Sequence, residues 1–168
     1  MVNIQSLVAT KAARIVHAAC SDGHERSVVD FGARRAHGPE AGSLAARAAY
    51  IGGCDGTSNL LAGRKFGIPT YGTMAHSWVE AFDKEEEAFH KYHKIFPEGT
   101  VLLVDTYDTV KAVRMIVNCF IKDRIKGVRL DSGNLHVCGN LNEYKILDLV
   151  QKKSPIDIFG VGTHKAIE

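Results

Sequence analysis

The chain has 168 residues, of which 45% are hydrophobic and 24% charged, the composition of a globular protein with one domain's worth of core. Its formal net charge of +2 comes without a basic block and gives no footing for bulk nucleic-acid binding. No apolar run reaches the length of a membrane span.

Four cysteines, Cys20, Cys54, Cys119 and Cys138, show no CxxC spacing. They read as reduced thiols rather than as disulfides or a zinc site. The N-terminal segment is amphipathic, interrupted by Gln5, Lys11 and Arg14, unlike a signal peptide. Together these features point to a cytoplasmic location.

Ile4, Leu7, Val8, Ala12, Ile15 and Ala19 recur at helical spacing, so the chain opens on a helix ended by Ser21-Asp22-Gly23. A short strand is expected at Val28-Val29-Asp30-Phe31. Gly38-Pro39-Glu40 starts an Ala-rich helix to about Ile51, closed by Gly52-Gly53. Thr57 or Ser58 is placed to cap a helix running to Phe66. Gly67-Ile68-Pro69 then turns the chain into an extended segment from Thr70 to Thr73.

A longer helix is expected from about Trp78 to Tyr92, followed by a turn at Pro97-Glu98-Gly99. Val101-Leu102-Leu103-Val104 is a continuous apolar run, the pattern of a strand buried on both faces. The next helix carries Val110, Val113, Val117, Phe120 and Ile121 on one side. Strands are expected at Gly127 to Leu130 and again at Leu135 to Cys138. Asn140 with Glu143 resembles a capping box for a helix through Leu147 and Val150. Pro155 to Phe159 forms the last strand.

Alternating strands and helices imply a parallel α/β sheet with helical crossovers. Reactive residues gathered at strand C-termini fit a (β/α) barrel, whose chemistry sits on that face. A doubly wound open sheet is the competing architecture, since ligands there also bind beyond strand C-termini. Six candidate strands fall short of a closed eight-stranded barrel. Parallel neighbours need a crossover of about a dozen residues, yet few residues separate Asp131 from Val137. Either those strands are not parallel neighbours or a helical segment is missing there, and the second reading is favoured.

The chemistry-bearing residues lie at the ends of these strands. Gly72-Thr73-Met74-Ala75-His76-Ser77-Trp78 delivers a histidine to a helix mouth, where an imidazole can act as base, acid or nucleophile once a partner fixes its tautomer. Asp105, ending the next strand, is the expected partner, leaving helix capping to Thr106 or Asp108. Arg34 and Arg35 follow Phe31-Gly32, and a guanidinium there could clamp a phosphate. Phe31 could stack on a flat ring or fill the core. Thr57 and Ser58 stand at a helix N-terminus, where backbone N–H groups favour anions.

Arg129 and Asp131 flank Leu130 at period-2 spacing and should share a face, as an ion pair or as ligands for an anion and for ribose hydroxyls. Gly160-Val161-Gly162-Thr163 follows a buried strand and looks like a phosphate loop built from backbone N–H groups. His90 and His93 have HxxH spacing, but no third ligand is apparent, and a solvated face is the reading preferred. No Walker A, HExxH or GxSxG motif occurs.

Six stretches in consistent order resemble the nicotinate phosphoribosyltransferase family. They are Asp30 to Arg35, Tyr50 to Asn59, Gly72 to Ser77, Val104 to Asp108, Gly127 to Gly133 and Phe159 to Thr163. The resemblance implies a partial or irregular (β/α) barrel of the type II phosphoribosyltransferase kind. On that reading residues 1–168 form a single partial-barrel domain without the family's N-terminal domain.

It also implies condensation of nicotinate with phosphoribosyl pyrophosphate to nicotinate mononucleotide and pyrophosphate, in NAD biosynthesis. ATP hydrolysis is coupled through a phosphohistidine, whose position His76 occupies, with Asp105 orienting the ring. Phe31 would stack on the pyridine. Arg34 and Arg129 would meet the phosphoribosyl donor or the nicotinate carboxylate, which Ser77 could also approach. Ser58 would bind substrate, Asp131 and Asn140 would hold ribose hydroxyls, and Gly160, Gly162 and Thr163 the nucleotide phosphate. Mg²⁺ and ATP are implied as cofactor and co-substrate, a homodimer as the assembly, and neither nucleic acid nor membrane as a partner.

Three departures accompany the resemblance: the family's N-terminal domain is missing, the Asp131-to-Val137 connection is short, and Asn134 stands where an aspartate is common. A quinolinate phosphoribosyltransferase-like enzyme is the nearest rival. A noncatalytic barrel fragment acting through subunit association is the rival from another class.

Overall fold

The computed structural model describes residues 2–120, 125–131, 138–139 and 141–162. In chain order the elements are α1 (Val2–Ala19), β1 (Ser27–Asp30), α2 (Pro39–Ile51), β2 (Gly56–Thr57), α3 (Leu60–Phe66), α4 (His76–Glu80) and α5 (Glu85–Ile95). They continue with β3 (Val101–Leu103), α6 (Thr109–Cys119), β4 (Gly127–Arg129), β5 (Cys138–Gly139), α7 (Glu143–Gln151) and β6 (Ile158–Val161). The chain divides into two compact units, residues 1–71 with 136–168, and residues 72–135.

The first unit is built on a parallel sheet in the order β2-β1-β6-β5. β1 lies inside it, with Asp30 opposite Val161 on one side and Thr57 on the other. Val28, Phe159 and Val161 meet Val8, Ala12 and Ile15 of α1, Ala48 and Ala49 of α2, and Ile146 and Val150 of α7. The small residues of α1 and α2 let these helices approach closely. A Cβ on Gly52 would strike the Ala9 carbonyl oxygen and the Ala12 methyl, so the glycine that ends α2 is also required by packing.

The second unit holds a parallel β3–β4 pair, in register from Val101 opposite Gly127 to Leu103 opposite Arg129. Leu102, Leu103 and Val104 pack with Val79, Ala88, Phe89, Ala112, Ile116 and Phe120. The architecture is therefore α/β with parallel sheets, as the alternation implies, and neither sheet closes on itself among the described residues.

Several local expectations need correction. The single helix expected from Trp78 to Tyr92 is two, α4 and α5, parted at residues 81–84. The extended segment from Thr70 to Thr73 contributes only a bridge between Thr70 and Thr57. On α6 the valine stripe faces outward, with Val110, Val113 and Val117 exposed, while Ala112, Ile116 and Phe120 are buried. Ile4 and Leu7 of α1 are likewise exposed. Asn59, not Thr57 or Ser58, caps α3 by accepting from Ala62 N at 3.1 Å. Asn142 caps α7 by accepting from Lys145 N at 2.9 Å, two residues beyond the position read from the sequence. β4 and β5 belong to different sheets, so they are not parallel neighbours; residues 132–137 between them lie outside the described residues.

Candidate active site

In the second unit, β3 and β4 end side by side and the segment from Gly72 to His76 runs past them. The Val104 amide donates to the Arg129 carbonyl at 3.1 Å, continuing the ladder beyond the strands. Period-2 spacing puts Arg129 and Asp131 on one face, and their side chains meet at 2.9 Å, Nη2 to Oδ2. The same guanidinium donates through Nη1 to the Thr73 hydroxyl and, at 3.5 Å, to the Met74 carbonyl. It thus ties the strand end to the segment that carries His76.

His76 opens α4 and is partly exposed. Its Nδ1 lies 3.2 Å from the Thr106 hydroxyl. Its Nε2 lies 3.8 Å from Asp131 Oδ2. The direct partners of the imidazole are therefore Thr106 and Asp131 rather than Asp105. Asp105 instead accepts from the Asp131 backbone N–H at 2.7 Å, and so fixes the carboxylate that faces the ring. Asp108 caps α6 by accepting from Lys111 N at 3.0 Å. That hydrogen bond, with the nearby Lys111 charge, holds its carboxyl below the ordinary range, and it leaves Asp105 and Thr106 for the site.

Ser77 is exposed beside His76. A largely apolar cleft of about 560 Å³ opens next to Thr73, lined by Tyr92, Phe96, Pro97 and Glu98. His76 is not part of its wall. The site in this unit is a string of polar side chains, Thr73, Arg129, Asp131, His76 and Thr106, each held by the next.

The first unit presents a second set of strand ends. Asp30, only 5% exposed, ends β1 and accepts from the Thr57 hydroxyl at 2.8 Å and the Gly32 amide at 3.1 Å. The Ser58 amide donates to the Asp30 carbonyl at 2.8 Å, placing Ser58 beside the end of β1. Phe31 is half-buried and its amide donates to the Val161 carbonyl at 2.9 Å. The loops after β1 and β6 touch through glycines: a Cβ on Gly32 would stand 3.3 Å from the Gly162 oxygen, and one on Gly162 3.3 Å from the Phe31 oxygen.

Arg34 and Arg35 lie in a single 3₁₀ turn, both exposed, and neither guanidinium has an acidic partner among the described residues. Gly160 is not in a loop. It sits within β6, opposite Val29 on one side and Cys138 on the other, so among the described residues of the proposed phosphate loop only Gly162 lies beyond the strand. Thr163 and Asn140 are outside the described residues.

Sequence reasoning missed Asp30 as an organising residue, although a lone acid at the end of an apolar strand, two residues before a glycine, was its visible signal. It named Thr106 only as a possible cap and gave Thr73 no role. Neither threonine has a sequence signature that separates it from its neighbours.

The model of the nicotinate phosphoribosyltransferase (NAPRTase) family matches residues 26–160. The chain belongs to that family. The matched span takes in the strand ends around His76 and those of β1 and β2, and stops one residue short of the end of β6. A nicotinate phosphoribosyltransferase of Mycobacterium tuberculosis is 44% identical over 99% of this chain and 40% of its own length. That of Bacillus subtilis is 38% identical over 97% of the chain and 38% of its own length.

Among solved structures, a nicotinate-nucleotide pyrophosphorylase from Pyrococcus furiosus gives a TM-score of 0.82 at 29% identity, covering 97% of this chain and 47% of that one. Human nicotinic acid phosphoribosyltransferase gives 0.77 at 25%, covering 95% and 47%. The chain thus spans less than half the length of each of these proteins. Its alignment to the Mycobacterium relative runs over 191 residues against 168 in the chain, so the relative carries internal residues without counterpart here. No described helix is long and apolar enough to cross a membrane.

Proposed function

We propose that this chain carries phosphoribosyl-transfer chemistry on nicotinate. It would condense nicotinate with phosphoribosyl pyrophosphate to nicotinate mononucleotide and pyrophosphate, with ATP hydrolysis coupled through a phosphohistidine at His76. The observation that carries the reading is the setting of His76, with a hydroxyl at one ring nitrogen and a carboxylate facing the other. Asp131 opposite Nε2 favours a proton on that nitrogen, which leaves Nδ1 with the lone pair that attacks the terminal phosphorus of ATP. Thr106 then holds Nδ1 in place until ATP arrives. ADP leaves, and hydrolysis of the phosphohistidine returns the imidazole.

The remaining roles follow chemical type. Arg129 and Arg34 neutralise the phosphates or the nicotinate carboxylate, Ser58 and Ser77 donate to substrate oxygens, and Phe31 stacks on the pyridine ring. Asp131 and Asn140 accept from ribose hydroxyls, and Gly162 and Thr163, continuing from Gly160, offer backbone N–H groups to the nucleotide phosphate.

Carboxylate oxygens beside His76, from Asp105 and Asp131, are the donor type that a hard cation takes. Mg²⁺ bound with the diphosphate would supply charge neutralisation of that leaving group. The barrel of the type II phosphoribosyltransferase kind, as one partial domain, and a homodimeric assembly belong to the same proposal. A helical segment missing between Asp131 and Val137 would account for the internal length difference from the relatives.

Labelling with ATP carrying a radioactive terminal phosphate tests the proposal. Acid-labile, base-stable label is expected on the wild-type chain and none on His76→Ala, with ATP stimulation of nicotinate mononucleotide formation lost in the variant. Turnover of quinolinate with release of CO₂, and no label, would support the rival enzyme. Absence of saturable phosphoribosyl pyrophosphate binding in an intact oligomer would support a role in association alone.

A further inference from the structure

Outside the site around His76, the second unit brings together three side chains of a different kind. Glu86 and His90 stand four residues apart on α5 and so share a face. Cys119, the last residue of α6, reaches them from the neighbouring helix. Its thiol donates to Glu86 Oε1 at 3.5 Å, and His90 Nε2 lies 3.8 Å from the same oxygen. The three donor atoms all lie within 4.8 Å of one another. We propose that Glu86, His90 and Cys119 form a binding site for a zinc-type divalent cation, with three protein ligands and one position left for water.

The ligand set fixes the class of metal. One thiolate, one imidazole and one carboxylate suit a borderline-soft cation, and a thiolate is a poor ligand for Mg²⁺ or Ca²⁺. Bonds of about 2.0–2.3 Å in a tetrahedron put ligand atoms roughly 3.3–3.7 Å apart. Glu86 Oε1 already stands near that spacing from both partners. The main closure is therefore between His90 and Cys119, by roughly 1.1–1.5 Å at most, within reach of a rotation of the Cys119 side chain, with the thiol proton passing to solvent.

Neighbouring contacts support the arrangement. The His90 ring stacks on Phe120 with centroids 4.4 Å apart and planes at 25°, and Phe120 is 2% exposed. A buried ring adjacent to the cysteine thus fixes the plane of the imidazole, the job that outer groups perform at metal sites. His93, the other half of the HxxH spacing, is engaged elsewhere, with Nδ1 2.7 Å from the Thr100 hydroxyl. The third ligand that the sequence did not reveal comes from another helix. A bound cation would link the first turn of α5 to the end of α6.

Cobalt(II) titration of the full chain, kept reduced, tests the proposal. The expected spectrum has visible bands of tetrahedral strength and a near-ultraviolet thiolate-to-cobalt band, both displaced by zinc. Cys119→Ser should abolish the near-ultraviolet band, and His90→Gln should weaken binding by about tenfold or more. His93→Gln should leave both unchanged. Zinc should also raise the thermal midpoint of the wild type and not that of Cys119→Ser, with circular dichroism showing each variant folded. Absence of a thiolate band in the wild type, or a band and affinity that survive Cys119→Ser and His90→Gln, would overturn the proposal.

Discussion

Thr106 and Asp131 divide the two ring nitrogens of His76 between them, and under the proposed function that division would decide which nitrogen attacks phosphorus. A Thr106→Val variant keeps the shape and removes the hydroxyl from Nδ1. Loss of one such hydrogen bond is worth about 0.5–1.5 kcal/mol, so the initial rate of His76 phosphorylation should fall by roughly two- to tenfold. Thr106→Ser should restore most of that rate, because the hydroxyl returns. Equal labelling rates in wild type and Thr106→Val would remove Thr106 from any positioning role. The shift from Asp105 to Thr106 and Asp131 as the imidazole's partners shows what sequence spacing leaves out. Asp105 ends a strand in the right place, but its carboxylate is drawn to the Asp131 amide, a contact between residues 26 apart.

At the scale of elements, β1, β3, β4 and most helix limits were readable, because buried parallel strands are continuous apolar runs and glycines mark helix ends. By contrast, β2 (Gly56–Thr57) was read as a helix cap, and β6 runs from Ile158 to Val161 rather than from Pro155 to Phe159. α6 shows the limit of that reading. It carries two apolar stripes, Val110-Val113-Val117 and Ala112-Ile116-Phe120, each at helical spacing. Periodicity groups the residues of a face without saying which face meets the core, and here the valines stand outside. The caps of α3 and α7 were misread by one or two positions, that of α3 for a related reason, since Thr57, Ser58 and Asn59 are all competent N-caps and Thr57 is claimed by Asp30. The α6 assignment makes a stability prediction. Ile116→Ala should cost about 2–5 kcal/mol in urea unfolding, whereas Val117→Ala should change stability by no more than about 0.5 kcal/mol. Similar losses at both positions would reverse the assignment of the faces.

For the molecule as a whole, acid behaviour should reflect two opposing sets of carboxyls. Asp22 is held below the ordinary carboxylate range by its hydrogen bonds and charge pairing with Arg26 and by the His24 amide, and Asp108 by its capping bond. Groups of that sign stabilise the fold above their unfolded values near 3.8 and lose the contribution as pH falls through the lower folded values. Glu85 has the other sign. Burial and then the nearby Asp108 charge push its carboxyl above 4.5, and its buried Oε1 has no hydrogen-bond partner among the described residues. Its ionised form is disfavoured in the fold, so its contribution is fully present below 4.5 and lost as pH rises through the raised value. Glu85→Gln removes that charge while keeping the shape. The variant should melt at a higher temperature than the wild type at pH 7, and the gap should close as pH falls towards 4.5. Thermal unfolding of both proteins at a series of pH values provides the measurement. A wild type more stable at pH 7, or a gap independent of pH, would show that the Glu85 carboxylate is not a strained charge in this fold.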